Sequence, residues 1–332
     1  MPLHVIILGA GITGLTSALA LHRFLPEPKP KITVYEIRAT PSTIGGAVNL
    51  TPKALRYLDY LGVLDILKSK GQGAECKTIE IFDIYSGKKA AELDFRGPEG
   101  RGIGKEKGKE YFARRVMRSH LQQALLQVIE ALDEIRVVFG KKVKQIQEVE
   151  GKSVELTFDD GDTVSGDLLL GCDGLHSAAR SFLVESDRTP KYTGIAVAMV
   201  VAKVRSASQL RWHTTGLTRA RRGSFMSSHF QENRAEQYIG VVTETIEVAD
   251  REGWKVRGSD QAAIKADMLD RFKSASMPEL EQLIEDAGDW TLYPVYALPS
   301  NGKWISPGGR CILLGDAAHA VRPPLPPYRA YR

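Results

Sequence analysis

The chain has 332 residues, 43% of them hydrophobic, which exceeds one minimal domain and is enough for a sizeable core. Its net charge of +5 arises from 45 Lys and Arg scattered among 40 Asp and Glu. That balance suits mild attraction for anionic small molecules, and nucleic acid and membrane surfaces are not expected as partners. Cys76, Cys172 and Cys311 show no metal-ligand spacing, so no metal site is expected, and buried reduced thiols point to a cytoplasmic protein. Met1 to Leu21 is apolar, yet Gly9, Gly11 and Gly14 interrupt it and no basic segment leads it, so it does not read as a signal peptide. No run of about 20 apolar residues is present to span a bilayer.

In chain order, His4 to Leu8 reads as a short buried strand. Gly14 to Phe24 has helical spacing through Leu15, Ala18, Leu19 and Leu21, and Lys31 to Glu36 alternates as a second strand. This βαβ unit argues for a doubly wound, mostly parallel sheet. Pro52 to Leu61 reads as a helix closed by Gly62. Residues 97–109 hold five glycines without apolar periodicity and are expected to form a surface loop. Arg118 to Leu132 is again helical, and Arg136 to Phe158 reads as successive strands with a turn at Asp159 to Asp162. A short buried strand, Leu168 to Leu170, leads into Gly171-Cys172-Asp173-Gly174. From 185 to 295 the pattern becomes β-rich, with one helical stretch at Gln261 to Phe272, and Arg310 to Leu314 is a buried strand delivering Gly315-Asp316. The basic cluster Arg219, Arg221 and Arg222 lies in an apparent hairpin without interleaved aromatics and reads as a solvated turn.

Gly9-Ala10-Gly11-Ile12-Thr13-Gly14 follows a strand and opens a helix, the setting in which this glycine pattern signals a dinucleotide. Gly9 permits a tight turn, Gly11 a close approach of backbone to pyrophosphate, and Gly14 close helix–strand contact. The phosphates are expected on free N–H groups at the helix N-terminus. Glu36, ending the second strand, can accept hydrogen bonds from ribose hydroxyls and disfavours a 2′-phosphate, which fits FAD or NAD better than NADP. This unit alone does not separate an NAD dehydrogenase from a flavoprotein.

Two later motifs carry a resemblance. Asp167 to Arg180, DLLLGCDGLHSAAR, closely resembles the Asp-Gly motif of class A flavin monooxygenases, the para-hydroxybenzoate and salicylate hydroxylase superfamily; Arg310 to His319, RCILLGDAAH, resembles the Gly-Asp motif of the same family. Gly45 to Leu55 and Arg118-Ser119-His120-Leu121 are similar to further segments of its members, so the resemblance covers nearly the whole chain.

The resemblance implies a Rossmann-like FAD-binding domain intergrown with an antiparallel β-rich substrate domain. The first part of the FAD domain is placed at 1–184, the substrate domain at 185–295, and the return to the FAD domain at 296–332. It implies that Asp316, after Gly315, hydrogen-bonds the ribityl chain, and that Arg118 contacts FAD near the pyrophosphate; a structural salt bridge is the alternative for each. Asp173 and Arg180 are implied in linking FAD contacts to NAD(P)H binding, against the alternative of an Asp-Gly turn leading into a helix. The implied reaction is NAD(P)H-consuming hydroxylation of a small aromatic, phenolic or polyketide-like substrate by molecular oxygen, through a flavin hydroperoxide. No catalytic base is identified: His213, His229, Tyr238 and Tyr293 read as packed or solvated, and His176 and His319 as architectural.

The pattern departs from the family at the end. A Gly-Gln-Gly segment opening a long helix is expected after the Gly-Asp motif, whereas this chain reads Arg322-Pro323-Pro324-Leu325-Pro326-Pro327-Tyr328-Arg329-Ala330-Tyr331-Arg332, in which four prolines forbid a helix. A truncated or altered reading frame and a Pro-rich binding tail are both compatible with it. Either leads to the expectation of weak or absent hydroxylation, with a catalytically defective flavin-fold protein or binding module as the alternative function.

Overall fold

The computed structural model describes residues 2–43, 45–106, 109–149, 151–203, 210–220, 223–248 and 250–321. Arg221, Arg222 and the proline-rich stretch from Arg322 onward lie outside them. Two compact units are present, and the chain passes between them more than once. The first comprises Met1–Ile44, Leu121–Thr193 and Tyr296–Arg322, and the second takes Gly45–His120 and Gly194–Val295.

The first unit is built on a five-stranded sheet in the order Ile135–Val138, Lys31–Tyr35, His4–Leu8, Leu168–Gly171, Cys311–Leu313, with every neighbouring pair parallel. Such strands need apolar cover on both faces, and Val5, Ile6 and Ile7 are fully buried. Each such side chain stabilises the fold by roughly 1.5–3 kcal/mol. One face receives the helix Ile12–Phe24, which buries Gly14, Leu15, Ala18 and Leu19. A core of Ile6, Leu8, Leu169 and Leu313 continues into Ile146, Leu156 and Phe158 of the antiparallel sheet Val143–Val149, Ser153–Phe158, Thr163–Gly166. His4–Leu8 sends its successor in sequence to one side and Leu168–Gly171 to the other. It is therefore the switch point of the sheet, beyond whose carboxyl end α/β proteins bind ligands.

The second unit is organised by a seven-stranded sheet. Lys191–Lys203, Glu236–Glu244, Gly223–His229 and Thr215–Ala220 are antiparallel neighbours, and Thr215–Ala220 pairs in parallel with Thr78–Asp83. One face, through Ala198, Val200, Phe225, Ile239 and Val241, packs against Ile264, Met268 and Phe272 of Gln261–Phe272 and Leu280, Leu283 and Ile284 of Pro278–Glu285. Because strand side chains alternate, Met226, Tyr238 and Gly240 lie on the opposite face. A smaller sheet places Ala113–Met117 between Ala47–Leu50 and Ala74–Cys76.

Two stretches differ from the sequence expectation. Within 97–109, Ile103–Glu106 pairs with Lys109–Tyr111, and Tyr111 is buried with its hydroxyl donating to Asp59 at 2.7 Å. A tertiary anchor thus orders what the glycines suggested was a loop; residues 107 and 108 lie outside the described set. After Gly62, whose φ of 75° is left-handed, the chain restarts as a further helix, Val63–Ser69.

Candidate functional site

At the switch point the strand His4–Leu8 ends in Gly9, held by its N–H to the Tyr35 carbonyl at 2.8 Å. Gly9 has φ of 98°, and a Cβ there would lie 2.4 Å from the Cys172 carbonyl oxygen; one on Gly14 would lie 1.9 Å from the Gly9 carbonyl oxygen. These two glycines are required by the fold itself. Gly11 is different: a Cβ there meets nothing within 4 Å. Gly11 also caps the helix Ile12–Phe24 without any side-chain cap, and its first turn has no acidic residue. The N-terminus of this helix therefore offers main-chain donors and a positive dipole end beside open space, as an anionic group requires.

Glu36 is only 6% exposed. One carboxylate oxygen accepts from the Ala10 N–H at 2.8 Å, and the other from the Arg38 N–H at 3.0 Å, with the Arg38 guanidinium at 3.6 Å. Four lone-pair sites on a carboxylate leave room for ribose hydroxyls as well. Gln122, which sequence reading missed, is buried and donates to the Ala10 carbonyl at 2.7 Å, so both sides of the glycine turn are clamped.

The Gly-Asp segment joins the same unit. Gly315 has φ of 60°, and a Cβ there would lie 2.6 Å from Oγ1 of Thr13, which places Gly315 against the start of the helix Ile12–Phe24. Asp316 follows as an exposed residue, while Ala317 and Ala318 are buried. Asp316 makes no hydrogen bond or ion pair among the described residues, which leaves its carboxylate available to a ligand hydroxyl.

Asp173 and Arg180 make internal contacts. Asp173 accepts from Ser177 Oγ at 2.6 Å and from the N–H groups of Ala178 and Ala179 at 2.6 and 3.2 Å, while burial raises the pKa of its carboxyl. Arg180 is 2% exposed and donates to the carbonyls of Ala317, Leu175 and Arg188 at 2.9, 2.7 and 3.1 Å. Together they tie the Asp-Gly turn to the Gly-Asp segment. Cys172 and Cys311 have thiols pushed up to about 12 by burial, and all three cysteines are free.

Arg118 is described with the second unit. Its N–H donates to the Gly46 carbonyl at 3.1 Å, and its side chain runs along Gly45, where a Cβ would be 3.1 Å from Arg118 Cδ. Its Nε is buried without a protein partner, so the structural salt bridge considered from sequence is absent among the described residues. An orphaned guanidinium N–H suits a phosphate. Within the first unit, the uncapped helix end and the clamped Glu36 fit the pyrophosphate and ribose of a flavin dinucleotide.

Among the possible bases, His213 is exposed and Tyr293 half-buried. His229 is buried, its pKa pulled down to about 4 by desolvation with Arg234 adding to the effect, and Nδ1 lies 3.3 Å from the Glu236 carbonyl. Burial pushes the Tyr238 phenol up to about 12. His176 and His319 are exposed, and His319 stacks on Trp304 at 5.3 Å. No cluster of potential metal ligands is found among the described residues, and no helix among them is long and apolar enough to cross a membrane.

Residues 2–325 match the family described as FAD binding domain. The chain is a member of that family, within the class A flavin monooxygenases, and its cofactor is FAD. It is 24% identical to FAD-dependent monooxygenase pigN of Monascus ruber, over 97% of this chain and 72% of that protein. It is 26% identical to 3-hydroxybenzoate 6-hydroxylase of Polaromonas naphthalenivorans (strain CJ2), over 96% and 73%, and to salicylate hydroxylase of Pseudomonas putida, over 97% and 72%. Its fold is that of Klebsiella pneumoniae HpxO complexed with FAD and uric acid: the TM-score is 0.75 at 22% identity, covering 96% of this chain and 74% of that one.

Proposed function

We propose that the protein is an FAD-dependent, NAD(P)H-consuming cytoplasmic monooxygenase that hydroxylates a small aromatic, phenolic or polyketide-like substrate with molecular oxygen. The observation that carries this reading is the uncapped helix end at Gly11, open to space and flanked by the clamped carboxylate of Glu36. The relatives that hydroxylate 3-hydroxybenzoate and salicylate supply the substrate class.

When bound, FAD supplies the redox chemistry, taking electrons from NAD(P)H and activating oxygen for transfer to an electron-rich ring. The chain's own residues bind and orient. The N–H groups at the start of Ile12–Phe24 would hold the pyrophosphate, Glu36 would accept from ribose hydroxyls, and Arg118 Nε would donate to a phosphate oxygen. Asp316 accepts from the ribityl chain, held in place by Arg180 through the Ala317 carbonyl. Asp173 shapes the turn on which Arg180 sits, and through that turn both residues link the FAD site to NAD(P)H. The sheet face carrying Met226, Tyr238 and Gly240 receives the aromatic ring.

Purified chain should carry visible flavin absorbance, and a phenolic acid should stimulate its oxidation of NADH or NADPH with matched oxygen uptake and a hydroxylated product. Colourless protein, or pyridine nucleotide oxidation that no aromatic compound alters, would contradict the proposal.

A further inference from the structure

Arg115 sits mid-strand in Ala113–Met117, opposite Asn49 on one side and Ala74 on the other, and is 5% exposed. Its neighbour Arg114 is fully employed, donating to the Gly73 and Gln72 carbonyls at 2.7 and 3.1 Å and pairing with Glu232 at 3.3 Å. Arg115 has nothing comparable. Its Nη2 lies 3.5 Å from the Met226 sulfur, a weak acceptor, and its Nε is buried with no partner. No carboxylate pairs with it among the described residues. The ionisable groups acting on it, Cys76 and Tyr238, are a thiol and a phenol whose pKa values burial raises, so both are neutral near pH 7.

A guanidinium stays charged in proteins, so this is a buried cation without a counter-ion. Such an arrangement is costly and persists where an anion completes it. The sulfur it reaches belongs to the sheet face that also carries Tyr238. Met226 pairs with Gly240 and Ser228 with Tyr238, so Met226 and Tyr238 are diagonal neighbours on that face. Tyr238 packs its ring against Gly46, where a Cβ would lie 1.9 Å from it, and only burial and the charges of Arg115 and Arg118, with no hydrogen bond among the described residues, act on its hydroxyl. Among the described residues the second unit thus presents a cationic donor whose one partner is a thioether sulfur and a neutral donor with no acceptor.

We propose that Arg115 is the anion anchor of the substrate site, with Tyr238 as a second donor, and that the substrate presents a negatively charged oxygen, a carboxylate or phenolate, to this pair. The proposal rests on the monooxygenase reading for the identity of the site, while its chemistry belongs to the second unit alone. Arg115 selects acidic aromatic compounds over neutral ones of the same shape.

The test uses the full chain and isothermal titration with benzoate and its neutral analogue benzamide. Wild type is expected to bind benzoate about tenfold or more tightly than benzamide, the margin one charge-assisted hydrogen bond supplies. Arg115→Met should bind the two within about twofold of each other. It should keep its flavin per chain and melt at a higher temperature than wild type, because the uncompensated charge is gone; a merely structural arginine would leave the melting temperature lower. Should Arg115→Met not fold, Arg115→Gln takes its place with the same binding expectation. Wild type that binds both probes equally, or a neutral variant that keeps the benzoate preference, overturns the proposal. A flavin-free chain that still prefers benzoate would sink the monooxygenase reading and leave this one standing. A flavin-loaded chain without the preference would do the reverse.

Discussion

The glycine turn of the first unit and the sheet face of the second that carries Met226 and Tyr238 solve opposite problems. In the turn, polar groups are satisfied by the protein: Ala10 gives its N–H to Glu36 and its carbonyl to Gln122, and Arg180 spends its guanidinium on three main-chain carbonyls. On the sheet face, the Tyr238 hydroxyl and the nearby Arg115 Nε have no acceptor among the described residues. The first is a rigid frame that leaves only the helix end open, and the second carries unmet hydrogen-bonding capacity. A frame is what a cofactor needs, and unmet donors are what a selected substrate needs.

The largest expected effect comes from breaking the frame. Gly14→Val puts a Cβ 1.9 Å from a main-chain oxygen that has no room to retreat, and should cost more than about 4 kcal/mol, read as loss of the thermal transition or of soluble protein. A variant melting within a few degrees of wild type would show that the helix is not seated as described.

A second effect belongs to the other unit and depends on pH. His229 has its pKa depressed from 6.5 to about 4 by burial, so between these values the unfolded chain binds a proton that the folded chain refuses. Stability is therefore intact above about pH 6.5, falls as pH drops through this window, and the loss is complete below about 4, amounting to roughly 3 kcal/mol. Denaturant melts of wild type and His229→Gln across that window should converge as pH falls. Parallel curves would remove His229 as the cause. The smallest effect is that of Gln122→Leu, which leaves the Ala10 carbonyl without its donor and should cost about 1–3 kcal/mol, with weaker FAD binding as its companion.

The two regions also differ in how far the sequence disclosed them. The turn is a six-residue motif between a strand and a helix, so local chemistry names Gly9, Gly11 and Gly14, and Glu36 follows at the end of the next strand. Met226 and Tyr238 sit on successive paired strands, but Arg115 lies 111 residues before Met226 in a different sheet, and their meeting is tertiary, which no local pattern encodes. The helix Arg251–Ser259 was missed for a related reason. It contains Gly253 and Gly258 and buries only Trp254, so its start depends on Asp250 capping the Gly253 N–H at 2.7 Å more than on any apolar stripe. Gln122 escaped notice because its amide acts across tertiary space on Ala10 while its own surroundings read as ordinary helix.

Gly11 allows the central claim to be tested without disturbing the fold. Its φ of −75° is ordinary for any residue, and an added Cβ meets nothing within 4 Å, so Gly11→Leu should fold and melt like wild type. If the open helix end is where FAD lies, that side chain occupies the pyrophosphate's place, and FAD affinity measured by fluorescence titration should fall about a hundredfold or more. A folded Gly11→Leu protein that binds FAD as tightly as wild type would contradict the account.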